Sequence, residues 1–157
     1  MEIRKASMQD LEQIMQIYDR AKKFMRENGN KEQWGEDYPS SELIKKDMDK
    51  MYLCMSDGEI ACVFYYAEEE DEDYKNINVN WLNEEPYGVV HRVASTGIVK
   101  GSAAFCLEWA YARTRNLRMD TYRDNIPMQK LLEKCGFRYC GSFECRGTDK
   151  WMAYHKV

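Results

Sequence analysis

The stretch from Tyr87 to Ala110 constrains the fold more than any other part of the chain. Val89, Val90, Val93 and Ala94 form an apolar, β-favouring run of strand length. Gly97 and Gly101 bracket a short loop, and from Ser102 onward Ala103, Cys106, Leu107, Ala110 and Tyr111 recur at helical spacing. A strand that passes through a glycine turn straight into a helix belongs to an α/β arrangement. The first turn of such a helix leaves backbone N–H groups unpaired at the positive end of the dipole, a seat for an anion such as phosphate. Lys100 stands just before that helix, where the dipole disfavours a cation. Either a bound pyrophosphate removes the conflict or the lysine is simply solvated.

The flanking sequence supplies the other elements. Glu2 to Lys5 reads as a first strand, and Ser7-Met8-Gln9-Asp10 as the capped start of a helix. Leu11, Ile14, Met15, Tyr18, Ala21 and Met25 give that helix one apolar face, and Gly29 and Asn30 end it. Gln33 to Pro39 has no periodicity and carries Trp34 and Tyr38, which either close over a core edge or line a pocket. Ser40 or Ser41 caps a second helix running to about Lys50. Tyr52–Met55 and Ile60–Tyr66 are strands joined through Asp57-Gly58, a strong hairpin signal.

Glu68 to Asp73 is the one charge block, read as a solvated loop or as a field that draws a cation toward the site. Tyr74, Ile77, Val79, Trp81 and Leu82 then resume structured sequence. After the central helix, Arg118 to Tyr122 is a strand. Asp124 or Asn125 caps a helix with Pro127 in its first turn, Met128, Leu131, Leu132 and Cys135 on one face, and Gly136 as its stop. Tyr139–Glu144 and Lys150–Lys156 pair as a last hairpin. The element order is β-α-α-β-β-β-α-β-α-β-β. Tight hairpins exclude an all-parallel sheet, so the expectation is a single α/β domain whose mixed, mostly antiparallel sheet is flanked by helices.

Composition narrows the class of function. A net charge of −4 argues against a general nucleic-acid-binding surface. No apolar run reaches membrane-spanning length and Met1 to Lys5 lacks a signal-peptide core, so a soluble, cytoplasmic protein with no membrane partner is expected. The six cysteines form no C-x-x-C pair and His91 and His155 stand alone, so thiols are read as reduced and no metal site is expected.

This order, with two sequence blocks, resembles the GNAT superfamily of acyl-CoA-dependent N-acyltransferases. Gly101 and Ala103 match the last two marked positions of the family's glycine turn, followed by the similar helix Leu107-Glu108-Trp109-Ala110. Asn125, Met128, Leu131, Gly136 and Phe137 match its second block. Two positions depart from the pattern. Ile98 stands where the family carries Arg or Gln, and Leu132 where many members carry a tyrosine acid. The resemblance implies acetyl-CoA, its pantetheine and thioester carbonyl on Val93, Ala94 and Ser95, and its pyrophosphate on the amides of Lys100, Gly101, Ser102, Ala103 and Ala104. Asn125 and Met128 would flank the pantetheine arm.

Direct transfer to an amine needs a proton acceptor and in-line placement. His91, Asp120, Tyr122 and Glu144 are the candidates. His91 has the ordinary pKa for a base but is also read as plain strand structure, and Asp120 either relays protons or caps the turn before Asn125. Strand alternation places Arg92 opposite His91. Trp34, Tyr38, Tyr74 and Trp81 are expected to form the pocket for a small-molecule or peptide amine, and the edges of the last hairpin leave a homodimer open. Two other readings compete with the amine acetyltransferase. One is an acetyl-CoA-binding regulatory module without turnover, and the other a thiol-dependent or metal enzyme.

Overall fold

The computed structural model describes all 157 residues, and its elements follow the expected order. The chain runs β1 (Glu2–Lys5), α1 (Leu11–Glu27), α2 (Ser41–Lys46), β2 (Met51–Ser56), β3 (Glu59–Ala67), β4 (Gly88–Ser95), α3 (Ser102–Thr114), β5 (Leu117–Tyr122), α4 (Ile126–Lys134), β6 (Arg138–Cys145) and β7 (Thr148–Lys156). The strands form one mixed sheet in the order β1-β2-β3-β4-β5-β7-β6, antiparallel at every step except β4–β5.

Local chemistry accounts for most boundaries. Ser7 N–H donates to the Asp10 carboxylate at 2.8 Å, which secures the turn that opens α1. Ser40 Oγ accepts from Leu43 N–H at 3.1 Å at the start of α2. That helix stops at Lys46, and a 3₁₀ turn, Met48–Lys50, completes the expected length. Asp57 (φ 50°) and Gly58 (φ 78°) take the left-handed geometry that a two-residue hairpin demands. Arg146 and Gly147 do the same between β6 and β7. Asn125, rather than Asp124, caps α4, accepting from Met128 N–H at 3.2 Å.

Two features of β4 shape everything that follows. It pairs with β5 only at Gly88↔Leu117 and Val89↔Arg118, and beyond those residues the two strands part. On its other side the register with β3 slips: Tyr65 faces His91 while Val63 faces Ala94. Two β3 steps therefore match three on β4, a bulge at Arg92–Val93. Arg92 has φ 54°, and the buried Tyr18 hydroxyl of α1 donates to its carbonyl at 2.8 Å. One part of the core packs α3 and α4 against the sheet through Cys106, Leu107, Ala110 and Leu132. Another packs α1 and α2 through Ile14, Tyr18 and Ile44.

Candidate active site

Where β4 and β5 part, a cleft of about 900 Å³ opens. Val90 to Ser95 form one wall, Met119 to Thr121 the other, and Asn125, Met128 and Leu131 of α4 the floor. The α1–α2 loop roofs it. Gln33 Oε1 accepts from Asn125 Nδ2 at 2.9 Å, and Glu32 holds Lys150 at 3.2 Å.

Of the residues expected to hold the cofactor, Val93, Ala94, Ser95, Ala103, Asn125 and Met128 line this cleft. Lys100, Gly101, Ser102 and Ala104 do not; they adjoin it through Ala103 at the opening of α3. Ser102 turns its hydroxyl inward to Ala61 O at 3.2 Å, so only its backbone is offered to a ligand. Gly101 has φ 83° and nothing within 4 Å of where a Cβ would sit. Phe105 N–H bonds Gly101 O, so the four N–H groups before it have no partner inside the helix. Opposite, the Thr121 hydroxyl is buried without a hydrogen-bond partner. This backbone-built half suits an anionic, amide-bearing chain.

The other half is built from side chains. His91 Nε2 lies 2.6 Å from Asp71 Oδ2, and its Nδ1 faces Asp120 at 3.9 Å. Tyr74, itself buried, donates its hydroxyl to Asp120 at 2.7 Å. Burial pulls the His91 pKa down, but the Asp71 hydrogen bond and the Asp120 charge outweigh it and hold the imidazole above its ordinary value. Burial pushes Asp71 up, and the His91 contact more than reverses it, leaving that carboxyl below its usual range. Asp120 stays above its own, raised by burial against the opposing pull of His91 and Tyr74. With Nε2–H donated to Asp71, Nδ1 presents its lone pair to the cleft beside Asp120. That is the orienting arrangement a general base requires.

Several expectations are corrected. The acidic block is not a free solvated run: Asp71 bonds His91, Asp73 pairs with Arg146 at 2.9 Å, and Glu69 pairs with Lys50 at 2.7 Å. Asp120 caps nothing. Arg92 does not point away from His91, because the bulge breaks the alternation; both line the cleft and both meet the Tyr65 ring. Tyr122 lies outside the cleft, buried against Trp151 with centroids 4.9 Å apart. Glu144 is an exposed residue of β6 that does not line it.

Trp34 and Tyr38 do line the cleft, stacked edge-on at 6.2 Å. Tyr74 sits behind Asp120, and Trp81 stacks on Arg118 at 4.2 Å away from the cleft. Asp71, Asp47, Tyr65 and Thr121 are additional site residues that sequence reading misses. Only the acidic block gave any signal of Asp71. All six cysteines are free thiols, and no group of three or more His, Cys, Asp or Glu is arranged to hold a metal. No helix is long and apolar enough to cross a membrane.

Comparison with known proteins agrees with this geometry. No family model and no curated protein matches the sequence. Solved structures do. The chain is similar to a GNAT-family acetyltransferase from Streptococcus agalactiae (27% identity, 99% of this chain and 94% of that one, TM-score 0.90). It is also similar to a putative acetyltransferase from Staphylococcus aureus (26% identity, 99% and 98%, TM-score 0.71). The same fold occurs in N-acetylglutamate synthase from Neisseria gonorrhoeae, solved with coenzyme A and N-acetylglutamate (12% identity, 99% of this chain but 34% of that one, TM-score 0.66). The parted β4–β5 pair, the glycine turn into α3 and these likenesses define a GNAT fold. The neighbours are consistently GNAT-family acetyltransferases, which supports assigning the chain to the GNAT superfamily and an acyltransferase function.

Proposed function

We propose that this protein transfers an acetyl group from acetyl-CoA to a primary amine by direct attack, with His91 as the proton acceptor. The observation that carries the reading is the parting of β4 and β5 after two residue pairs. It leaves β4 backbone groups from Val90 onward without a ladder partner on the β5 side. The opening of α3, with four unpartnered N–H groups and no side chain at Gly101, suits a diphosphate, and Asn125, Met128 and the Thr121 hydroxyl suit the amide-bearing arm. When bound, acetyl-CoA supplies an activated thioester.

The chain's own residues do the rest. Asp71 and Asp120 attract an ammonium and stabilise the imidazolium that forms on His91, while Asp71 fixes the tautomer. Transfer of the ammonium proton to Nδ1 yields the neutral amine that attack requires, and attack would break the thioester C–S bond with CoA leaving as the thiolate. Leu132, fully buried where other members carry tyrosine, supplies no acid. The second reading, a binding module without turnover, draws its support from that residue and from Ile98.

Titration calorimetry with acetyl-CoA, run beside a CoA-release assay with a panel of amines, tests the proposal. Saturable binding, binding lost in Gly101→Glu with the protein still cooperatively folded despite a Tm lowered by strain at φ 83°, and amine-dependent release support it. Binding without release for any amine selects the module reading. Cofactor affinity unchanged in Gly101→Glu removes the diphosphate seat.

A further inference from the structure

We infer that the acceptor is a small monocationic amine on an uncharged aromatic or apolar body, and not an amino acid or a polyamine. This rests on the acetyltransferase reading and goes beyond it, because it follows from a charge census of the cleft rather than from the fold. Of the cations that face it, Arg92 is paired with Asp47 at 2.8 Å and Arg146 with Asp73 at 2.9 Å. Of the anions, Asp47 and Asp73 are consumed in those pairs and Glu32 is held by Lys150 at 3.2 Å. Asp71 and Asp120 alone keep charge in excess, and they share one imidazole. The cleft therefore concentrates its unmatched negative charge at a single point, where the proton acceptor stands and one ammonium can sit.

An α-amino acid would bring its carboxylate within a bond or two of that amine, against Asp71 and Asp120, and no unpaired cation in the depth of the cleft receives it. Arg20 is unpaired but exposed on α1 at the cleft margin, where solvent screening removes most discrimination. A second ammonium of a polyamine likewise meets only carboxylates already committed to arginines or to Lys150. The remaining surface is aromatic. Arginines stand over Tyr65 at 4.8 Å and over Trp151 at 5.5 Å, whereas no cation covers the ring faces of Trp34 and Tyr38, Arg92 reaching only the Tyr38 hydroxyl at 3.4 Å. Those two rings suit the uncharged body of the acceptor.

The test is binding, read by calorimetry on the wild-type protein with CoA present, so that it does not depend on turnover. Phenethylamine, phenylalanine, putrescine and phenylalaninamide extended by a neutral peptide are compared, with phenethyl alcohol as the uncharged control. Phenethylamine is expected to bind about 30-fold more tightly than phenylalanine, the effect of placing like charges together in a partly buried site. Asp47→Asn, which frees the Arg92 charge, is expected to narrow that ratio by about tenfold. Equal or tighter binding of phenylalanine, or of putrescine, overturns the inference. So does a tenfold preference for the peptide, which would assign the cleft to polypeptide N-termini, and so does phenethyl alcohol matching phenethylamine. Failure of the acetyltransferase reading has a different signature: phenethylamine binds selectively yet no CoA is released with any amine.

Discussion

The two histidines of this chain sit a short distance apart in the same sheet and do opposite things. His155 is fully buried on β7, where its Nε2–H donates to Asn116 Oδ1 at 2.6 Å and its Nδ1 accepts from Leu82 N–H at 3.1 Å. Neutral groups satisfy both nitrogens, and burial together with the Arg118 charge lowers its pKa to about 4. His91 meets carboxylates on both sides, and its pKa moves the other way. One is a neutral bracket between a loop and a strand; the other is a titrating group in a cleft. The difference lies in the neighbours, Asn116, a backbone amide and the Arg118 charge against Asp71 and Asp120.

The sharpest break of the comparison is to remove each ring in turn. His155→Ala strands the Leu82 N–H, leaves Asn116 Oδ1 only its long bond from Asn83 Nδ2 at 3.3 Å and opens a void, for about 3 kcal/mol lost in denaturant unfolding. CoA-release kinetics of the folded fraction should be little changed. His91→Gln should do the reverse, lowering kcat about 100-fold with Tm within a few degrees. If His91→Gln instead unfolds the protein and leaves kcat intact, the roles have been assigned the wrong way round.

Next comes pH. The folded state holds His155 neutral from the ordinary 6.5 down to about 4, so the unfolded chain binds more protons in that window. Stability is full above the window and falls as pH drops through it, by about 3 kcal/mol in total. His91 has the opposite sign. Its raised pKa stabilises the folded protein at low pH, and that contribution fades as pH rises through the folded value. Urea midpoints of the wild type and of His155→Asn across the acid range separate the two. The comparison fails if the substitution leaves the acid slope unchanged.

A smaller effect sharpens the cleft side. Asp71→Asn removes the contact that holds His91 up, so the acid limb of the kcat profile should move to lower pH. A limb that stays in place shows that another group sets it. Smallest of all, Tyr74→Phe removes one hydroxyl donor to Asp120 and should lower kcat by only a few-fold, about the worth of one hydrogen bond.

Sequence carries the backbone-built half of the molecule well, because that half depends on local chemistry. Asp57-Gly58 needs positive φ at neighbouring residues, Asn125 needs only a short side chain one turn before Met128 N–H, and Gly101 needs only the lack of a Cβ. The side-chain half is largely invisible in one dimension. Asp71 reaches His91 across twenty residues of sequence and Tyr74 reaches Asp120 across 46. Nothing near Asp71 distinguishes it from Glu69 or Glu70, which end in surface ion pairs. Alternation misplaces Arg92 because one extra residue in β4 resets the period, and that insertion is marked only by a non-glycine residue with φ 54°.

That extra residue makes chain length at one point of β4 as consequential as any side chain. Val89 to His91 run in one phase with β3 and Ala94 to Ser95 in the other, with Tyr18 gripping the join through the Arg92 carbonyl. Deleting a single residue there would restore an even ladder and turn one of the two segments over. Either the imidazole would swing out of reach of its carboxylates or the wall across from Thr121 would rotate, with no functional group chemically altered.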